Sequence, residues 1–268
     1  MGTLIRVSRN LQYTKYNYIY VEDTFEGIHV FTTKVGEQSI APAVSATKVS
    51  LSNINPAMVS PTLVIAKTNA NMHDYGSNTY YGFFYQGTQQ PLIVDGVSYW
   101  TSNLPENSVM FTDTSPKYWP SFCVKKDGTA AIRWFSSKTS LLAALPYCEC
   151  IIASVHVLVF DRKCVFNEEV YDSEPSHTLI MDPAGTNTGS NVRYNPNNGQ
   201  PNNHVYRTML GHKMGNDGVY YMVSTDAKMN CKEIANFMWE LGCDYAVNMD
   251  GSSPVQMRIK NGYGANGK

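Results

Sequence analysis

Short runs of β-branched and aromatic residues, each bounded by turn residues, recur along most of the chain: 16–21, 27–33, 62–67, 91–94, 122–125, 130–135, 151–160 and 219–224. Runs of this length and composition predict strands. Between several of them stand Asp95-Gly96, Asp127-Gly128 and Asn216-Asp217-Gly218, sequences that reverse a chain within a hairpin. One segment breaks the pattern. Over 231–241, Ile234, Phe237, Met238 and Leu241 fall at i, i+3, i+4 and i+7, the spacing of a helix with one apolar stripe. Asn230 supplies its N-cap, Glu233 stands in capping-box position, and Gly242 closes it. A second, shorter helix is predicted over 139–144. A buried strand over 245–249 then runs into Asp250-Gly251-Ser252-Ser253, a small-residue turn that sets an acid at the mouth of a cleft. Residues 183–203 are rich in Pro, Gly and Asn, which predicts a long loop, either a substrate cover or a surface insertion. The fold class expected is α+β, with mixed, largely antiparallel sheets and a few helices in a single compact domain. Residues 1–60 contribute strands integrated into that domain, and 60–268 form its core.

Composition narrows the functional classes. The chain has 268 residues with 21 basic against 22 acidic, a net charge of -1, and only 16% charged positions where about 25% is usual. That balance offers no basic footprint for a nucleic-acid duplex and no polybasic signal for a membrane surface. No apolar run approaches the roughly 20 residues of a membrane helix, and residues 1–20 lack the apolar core of a signal peptide. Synthesis in a cytoplasm is expected, with a surface style, low in charge and rich in Asn, Tyr, Ser and Thr, shared with virion-associated (phage) or released proteins. The six cysteines include no C-x-x-C pair, so reduced, buried thiols are expected rather than a zinc site. None of the 23 asparagines begins an N-x-Ser/Thr sequon.

Three stretches are specific. The last, Asn230 to Ser253, carries Glu233, Ala235, Leu241, Gly242, Ala246, Asn248, Asp250 and Gly251 in order. The second is Arg207-Thr208-Met209-Leu210-Gly211, followed by a strand. The third is Thr68-Asn69-Ala70-Asn71-Met72-His73-Asp74, with Gly82 and Val94-Asp95-Gly96 after it. Together they resemble the phosphodiester glycosidase family, with its helix carrying E-L-A, its A-x-N-L-D-G-G-G-S-S turn, its R-T-A-I-G strand and its I-N-G-G-F-F element, over residues 60 to 260. This chain departs from those patterns. Gly251-Ser252-Ser253-Pro254 replaces the triple glycine, Ala70 and Asn71 replace two glycines, and Val155-His156 is bulkier than the family's small-residue turn. The departures imply a reshaped pocket.

The resemblance implies hydrolysis of a sugar-1-phosphodiester at the anomeric carbon, where an oxocarbenium-like centre is stabilised while phosphate leaves. A phosphodiester leaves as a stable anion, and a guanidinium shares its charge through two hydrogen bonds. Arg207 is the candidate for that role, and Asp250 for the carboxylate that activates water or attacks the sugar. His73, His156 and His204 are candidate general acids, His73 foremost. Asn69, Asn71 and Asn248 are candidates to bind the substrate, as are Thr208, His156 and His204. Gly251, Ser252 and Ser253 complete that set. Glu233 reads as a capping-box residue rather than a catalyst. No clustered acids and histidines of the two-metal kind appear, so no cofactor is expected, with a divalent metal such as calcium left open. The expected partner is a small or polymeric sugar phosphate, and oligomeric state is left open. Two other readings stand beside the enzyme. One is a catalytically altered sugar-phosphate or nucleotide-binding protein, either a phage tail module or a scavenger of a small signal. The other is a purely structural surface protein.

Overall fold

A computed structural model describes residues 1–9, 12–35, 40, 66–68, 73–74, 79–80, 83–87, 92–94, 97–99, 120–135, 138–154, 156–166, 204–215, 218–249 and 257–259. Eight strands form the larger sheet. Its edge is an N-terminal meander of β1 (Gly2–Arg9), β2 (Tyr13–Tyr20) and β3 (Asp23–Lys34). Beyond β3 lie β16 (Val219–Thr225), β15 (Thr208–Lys213), β17 (Tyr245–Asn248), β13 (His156–Phe160) and β14 (Lys163–Cys164), in that order. A six-stranded sheet runs β11 (Ala130–Arg133), β10 (Ser121–Lys125), β12 (Cys148–Ala153), β7 (Phe83–Gln86), β8 (Leu92–Val94) and β9 (Val97–Tyr99). Two ribbons complete the described strands: β4 (Ala66–Thr68) with β18 (Met257–Ile259), and β5 (His73–Asp74) with β6 (Thr79–Tyr80). Every described pairing is antiparallel, as the turn signals predict.

The class itself needs correction. Among the described residues only α1 (Lys138–Ala144), which ends in a 3-10 turn, and α2 (Cys231–Glu240) are α-helices, so the architecture is mostly β rather than α+β. Apolar content read along the chain does not say how many strands share each sheet, and here nearly every run pairs in register. A second correction concerns the run over 151–160. It divides between two sheets: β12 ends at Ala153, and β13 begins at His156 in the other sheet. Ser154 holds the crossing, since its backbone N–H and its hydroxyl both donate to the Pro120 carbonyl, at 2.8 and 2.6 Å. The crossing places His156 at the edge of the eight-stranded sheet.

One hydrophobic core joins the two sheets and α2. Phe122, Val124 and Ile152 come from the smaller sheet, Val157, Leu210 and Val247 from the larger, and Ile234, Phe237 and Met238 from the helix stripe. Tyr16 and Tyr18 meet the Phe237 ring edge-on, at centroid distances of 6.0 and 5.4 Å, so the N-terminal strands pack on the helix as well as on the sheet. All six cysteines are free and buried. Burial pushes the Cys150 and Cys243 thiols up, so they pack as small apolar groups.

The ends of α2 follow the sequence signals. Asn230 Oδ1 accepts the Glu233 N–H at 2.9 Å while the Asn230 N–H donates to the Glu233 carboxylate at 2.7 Å, a complete capping box. At the other end Gly242 has φ +87; its N–H donates to the Trp239 carbonyl and the Cys243 N–H to that of Met238. That pair of bonds needs a left-handed residue.

Gly211 in β15 lies beneath this helix. A Cβ there would stand 2.6 Å from Met238 Cε and 2.7 Å from Cys243 Sγ. Gly211→Val is therefore expected to destabilise the protein by about 1–3 kcal/mol, measured by urea unfolding; an unchanged midpoint would show that helix and sheet are less closely packed than this contact requires.

Candidate active site

Three strands of the larger sheet end at one edge, and the N-terminus of α2 reaches the same corner. The register aligns His156 with Asn248 and Asn248 with Met209, while the Met249 N–H donates to the Thr208 carbonyl at 2.8 Å. His156, Thr208 and Asn248 are thereby brought together, with Arg207 one residue before β15 and Cys231 at the first turn of α2.

Arg207 is held by its neighbours on both sides. Its backbone N–H donates to Thr225 Oγ1 at 2.9 Å, its carbonyl accepts the Thr225 N–H at 3.0 Å, and its Nε donates to the Met229 carbonyl at 2.7 Å. Thr225 Oγ1 in turn donates to the Ala227 carbonyl at 2.7 Å, and Val205 pairs with Met229 through backbone bonds. The residue is buried, at 3% exposure. A guanidinium whose Nε is spent on a main-chain carbonyl keeps one orientation, which suits bidentate recognition of an anion.

His156 is buried at 1% exposure, and Asn248 beside it is equally enclosed. The Asn248 amide and His156 Nδ1 are 3.2 Å apart, and the Cys231 sulfur stands 3.7 Å from the same nitrogen. Burial, reinforced by the positive charge of Arg207, pushes the imidazole down to about 3. It is neutral across the physiological range, which removes it from the candidate general acids. His204 differs. Its Nε2 lies 3.0 Å from Glu233 Oε1, with His204 half exposed and the carboxylate buried. Glu233 therefore does two things at once, capping α2 and anchoring a histidine.

Thr208 is fully buried within β15 and supports Met249 through its carbonyl. His73 lies in β5, opposite Tyr80. Asp250, Gly251, Ser252, Ser253, Asn69, Asn71 and the 183–203 segment lie outside the described residues, as do Asp95-Gly96 and Asn216-Asp217. Sequence reasoning missed the Cys231 thiol against His156 and the Glu233–His204 pair, because neither follows a linear spacing. It also missed a surface relay: the Tyr13 hydroxyl is 2.7 Å from His29 Nδ1, and His29 Nε2 is 2.8 Å from Asp226, linking β2 and β3 to the turn that follows Thr225. Among the described residues no group of three or more His, Cys, Asp or Glu side chains is arranged to hold a metal ion, and no helix is long and apolar enough to cross a membrane.

The buried histidines give the fold a pH dependence. Burial also lowers His212, to about 4. Both histidines protonate near 6.5 once unfolded and resist it when folded, so their contribution to stability is complete above about pH 6.5 and is lost as pH falls toward 4. Unfolding free energy measured between pH 7 and 4 is expected to decline, and His156→Gln to reduce the slope by about one proton; an unaltered slope would contradict a neutral buried His156.

Residues 62–267 match the family model described as phosphodiester glycosidase. Among solved structures the chain is similar to the zebrafish N-acetylglucosamine-1-phosphodiester alpha-N-acetylglucosaminidase catalytic domain auto-inhibited by its pro-peptide. Identity there is 14%, with 97% of this chain and 72% of that chain covered and a TM-score of 0.48. A hypothetical protein from Synechocystis is similar at 8% identity, over 96% of this chain and 59% of its own, with a TM-score of 0.47. The comparison with curated proteins gives no match. Because the family match spans most of the chain and takes in the whole cluster from His156 to Asn248, the chain belongs to the phosphodiester glycosidase family and is a hydrolase of that type.

Proposed function

We propose that the chain hydrolyses a sugar-1-phosphodiester at the anomeric carbon, releasing the free sugar and a phosphomonoester. The observation that carries this reading is the convergence of a fixed, buried Arg207 with His156 and with Asn248, which stands two residues before Asp250 in the sequence. Arg207 takes the phosphate and shares the charge that grows on the leaving oxygen as the anomeric carbon–oxygen bond breaks. Asp250 takes a proton from the attacking water, or attacks first and is then released by water. Because the leaving group is a stable anion, it needs little protonation. His204, backed by the Glu233 carboxylate, and His73 are the two candidate histidines left to supply what is needed, and His204 has the better-defined partner. Thr208 acts through its carbonyl in holding Met249, the residue after Asn248, in place. Asn69, Asn71, Gly251, Ser252 and Ser253 are the further candidates to bind the sugar in this reading.

The Gly251-Ser252-Ser253-Pro254 sequence, which keeps one of the family's three glycines, favours a second reading: a protein that binds a sugar phosphate without turning it over.

Arg207→Ala and Asp250→Asn, each checked for folding by circular dichroism, are expected to lose about a hundredfold or more in kcat/KM on an α-N-acetylglucosamine-1-phosphate methyl ester. Wild-type rates in both variants would overturn these roles. Binding of the ester by the parent protein without turnover would establish the second reading.

A further inference from the structure

His156 Nε2 and Asn248 Oδ1 are both buried, and neither has a hydrogen-bond partner among the described residues. They are not two unrelated orphans. The other described unpartnered atoms, Thr33 Oγ1, Trp134 Nε1 and His212 Nδ1, belong to residues that share no hydrogen bond with one another, whereas these two are the outer atoms of one hydrogen-bonded pair. The Asn248 amide N–H donates to His156 Nδ1, which leaves the imidazole proton on Nε2 as a free donor and the amide oxygen as a free acceptor. Reversing the amide and the tautomer together exchanges the two roles and still leaves one donor and one acceptor. The polarity is confined to the sheet edge, since Val157, Leu158, Ala246 and Val247 behind the pair are wholly buried and apolar. An apolar pair would fit this position at lower cost, because an unmatched polar atom at such depth loses its water without replacement.

The requirement is specific. A metal ion would meet an N–H and the nearby charge of Arg207, and an anion would meet the amide oxygen. A neutral group that donates and accepts at once satisfies both atoms. We propose that His156 and Asn248 together bind one hydroxyl of the sugar and so determine which sugar the site accepts, with Arg207 taking the phosphate. This rests on the sugar-phosphodiester reading above and adds to it a division of labour: charge is recognised by Arg207 and sugar identity by a neutral pair.

The test uses the methyl phosphodiesters of α-glucose-1-phosphate and of its 2-, 3-, 4- and 6-deoxy analogues, with kcat and KM and, in parallel, calorimetric binding. The parent protein is expected to discriminate against one deoxy ester by about tenfold or more, and His156→Phe to lose a similar factor on the parent ester while treating that deoxy ester as the wild type does. Asn248→Leu is expected to repeat the pattern. A measurement free of variants accompanies it: in ¹⁵N-histidine-labelled wild type, the His156 Nε2 resonance should shift with the parent ester and stay unmoved with the same deoxy ester. Equal use of all five esters, or discrimination unchanged in both variants with a silent His156 resonance, overturns the pairing while leaving the hydrolase reading intact. Failure to bind or cleave any ester overturns both.

Discussion

A buried guanidinium can be kept only where main-chain carbonyls and hydroxyls are arranged to receive it, and the site depends on that constraint at Arg207. Thr225 grips its backbone from both sides and Met229 accepts its Nε. These contacts fix more than one residue. They join the segment entering β15 to the turn between β16 and α2, so the helix N-terminus, the sheet edge and the arginine are set relative to one another. Cys231 and Glu233 take their places from the helix start, His204 from Glu233, and His156 and Asn248 from strands that end at the same edge. The electrostatics follow the geometry. Arg207 near His156 adds to the burial that keeps the imidazole neutral, leaving that histidine a hydrogen-bonding group and nothing else.

Much of this was legible in the sequence, where a feature is local. Helix α2 was readable because its stripe, its capping box and its terminal glycine all lie within a dozen residues, and strand ends marked by Asp-Gly turns were readable for the same reason. The Arg207 and Asp250 motifs stood out because each is an uninterrupted string with a family resemblance. What was lost depends on which strands become neighbours. The division of the 151–160 run between two sheets is enforced by Ser154 against Pro120, residues 34 apart, and the mostly β class follows from how fully the runs pair. The Cys231–His156 contact spans 75 residues and the Tyr13–His29–Asp226 relay brings the first strands to the far side of the chain. No periodicity encodes such meetings.

Glu233 illustrates how a correct local reading can be incomplete. Its spacing from Asn230 identifies a capping box, and the box is formed. The same carboxylate also accepts from His204, on a segment that pairs with Met229 just before the helix. A residue that satisfies a helix terminus and anchors a histidine from another segment ties the start of α2 to the position of His204. Gly211 plays a comparable part beneath the helix, where the absence of a side chain leaves room for Met238 in the last turn of α2 and for Cys243 just beyond it.

The central claim is that the bond broken joins the anomeric carbon to the phosphate oxygen. Turnover of the α-N-acetylglucosamine-1-phosphate methyl ester in oxygen-18 water, with the products separated and weighed by mass spectrometry, tests it most directly. The account predicts that the label appears in the released sugar and the phosphomonoester stays unlabelled. Label in the phosphate would mean that the phosphorus–oxygen bond is cut, and would contradict the roles assigned to Arg207 and Asp250.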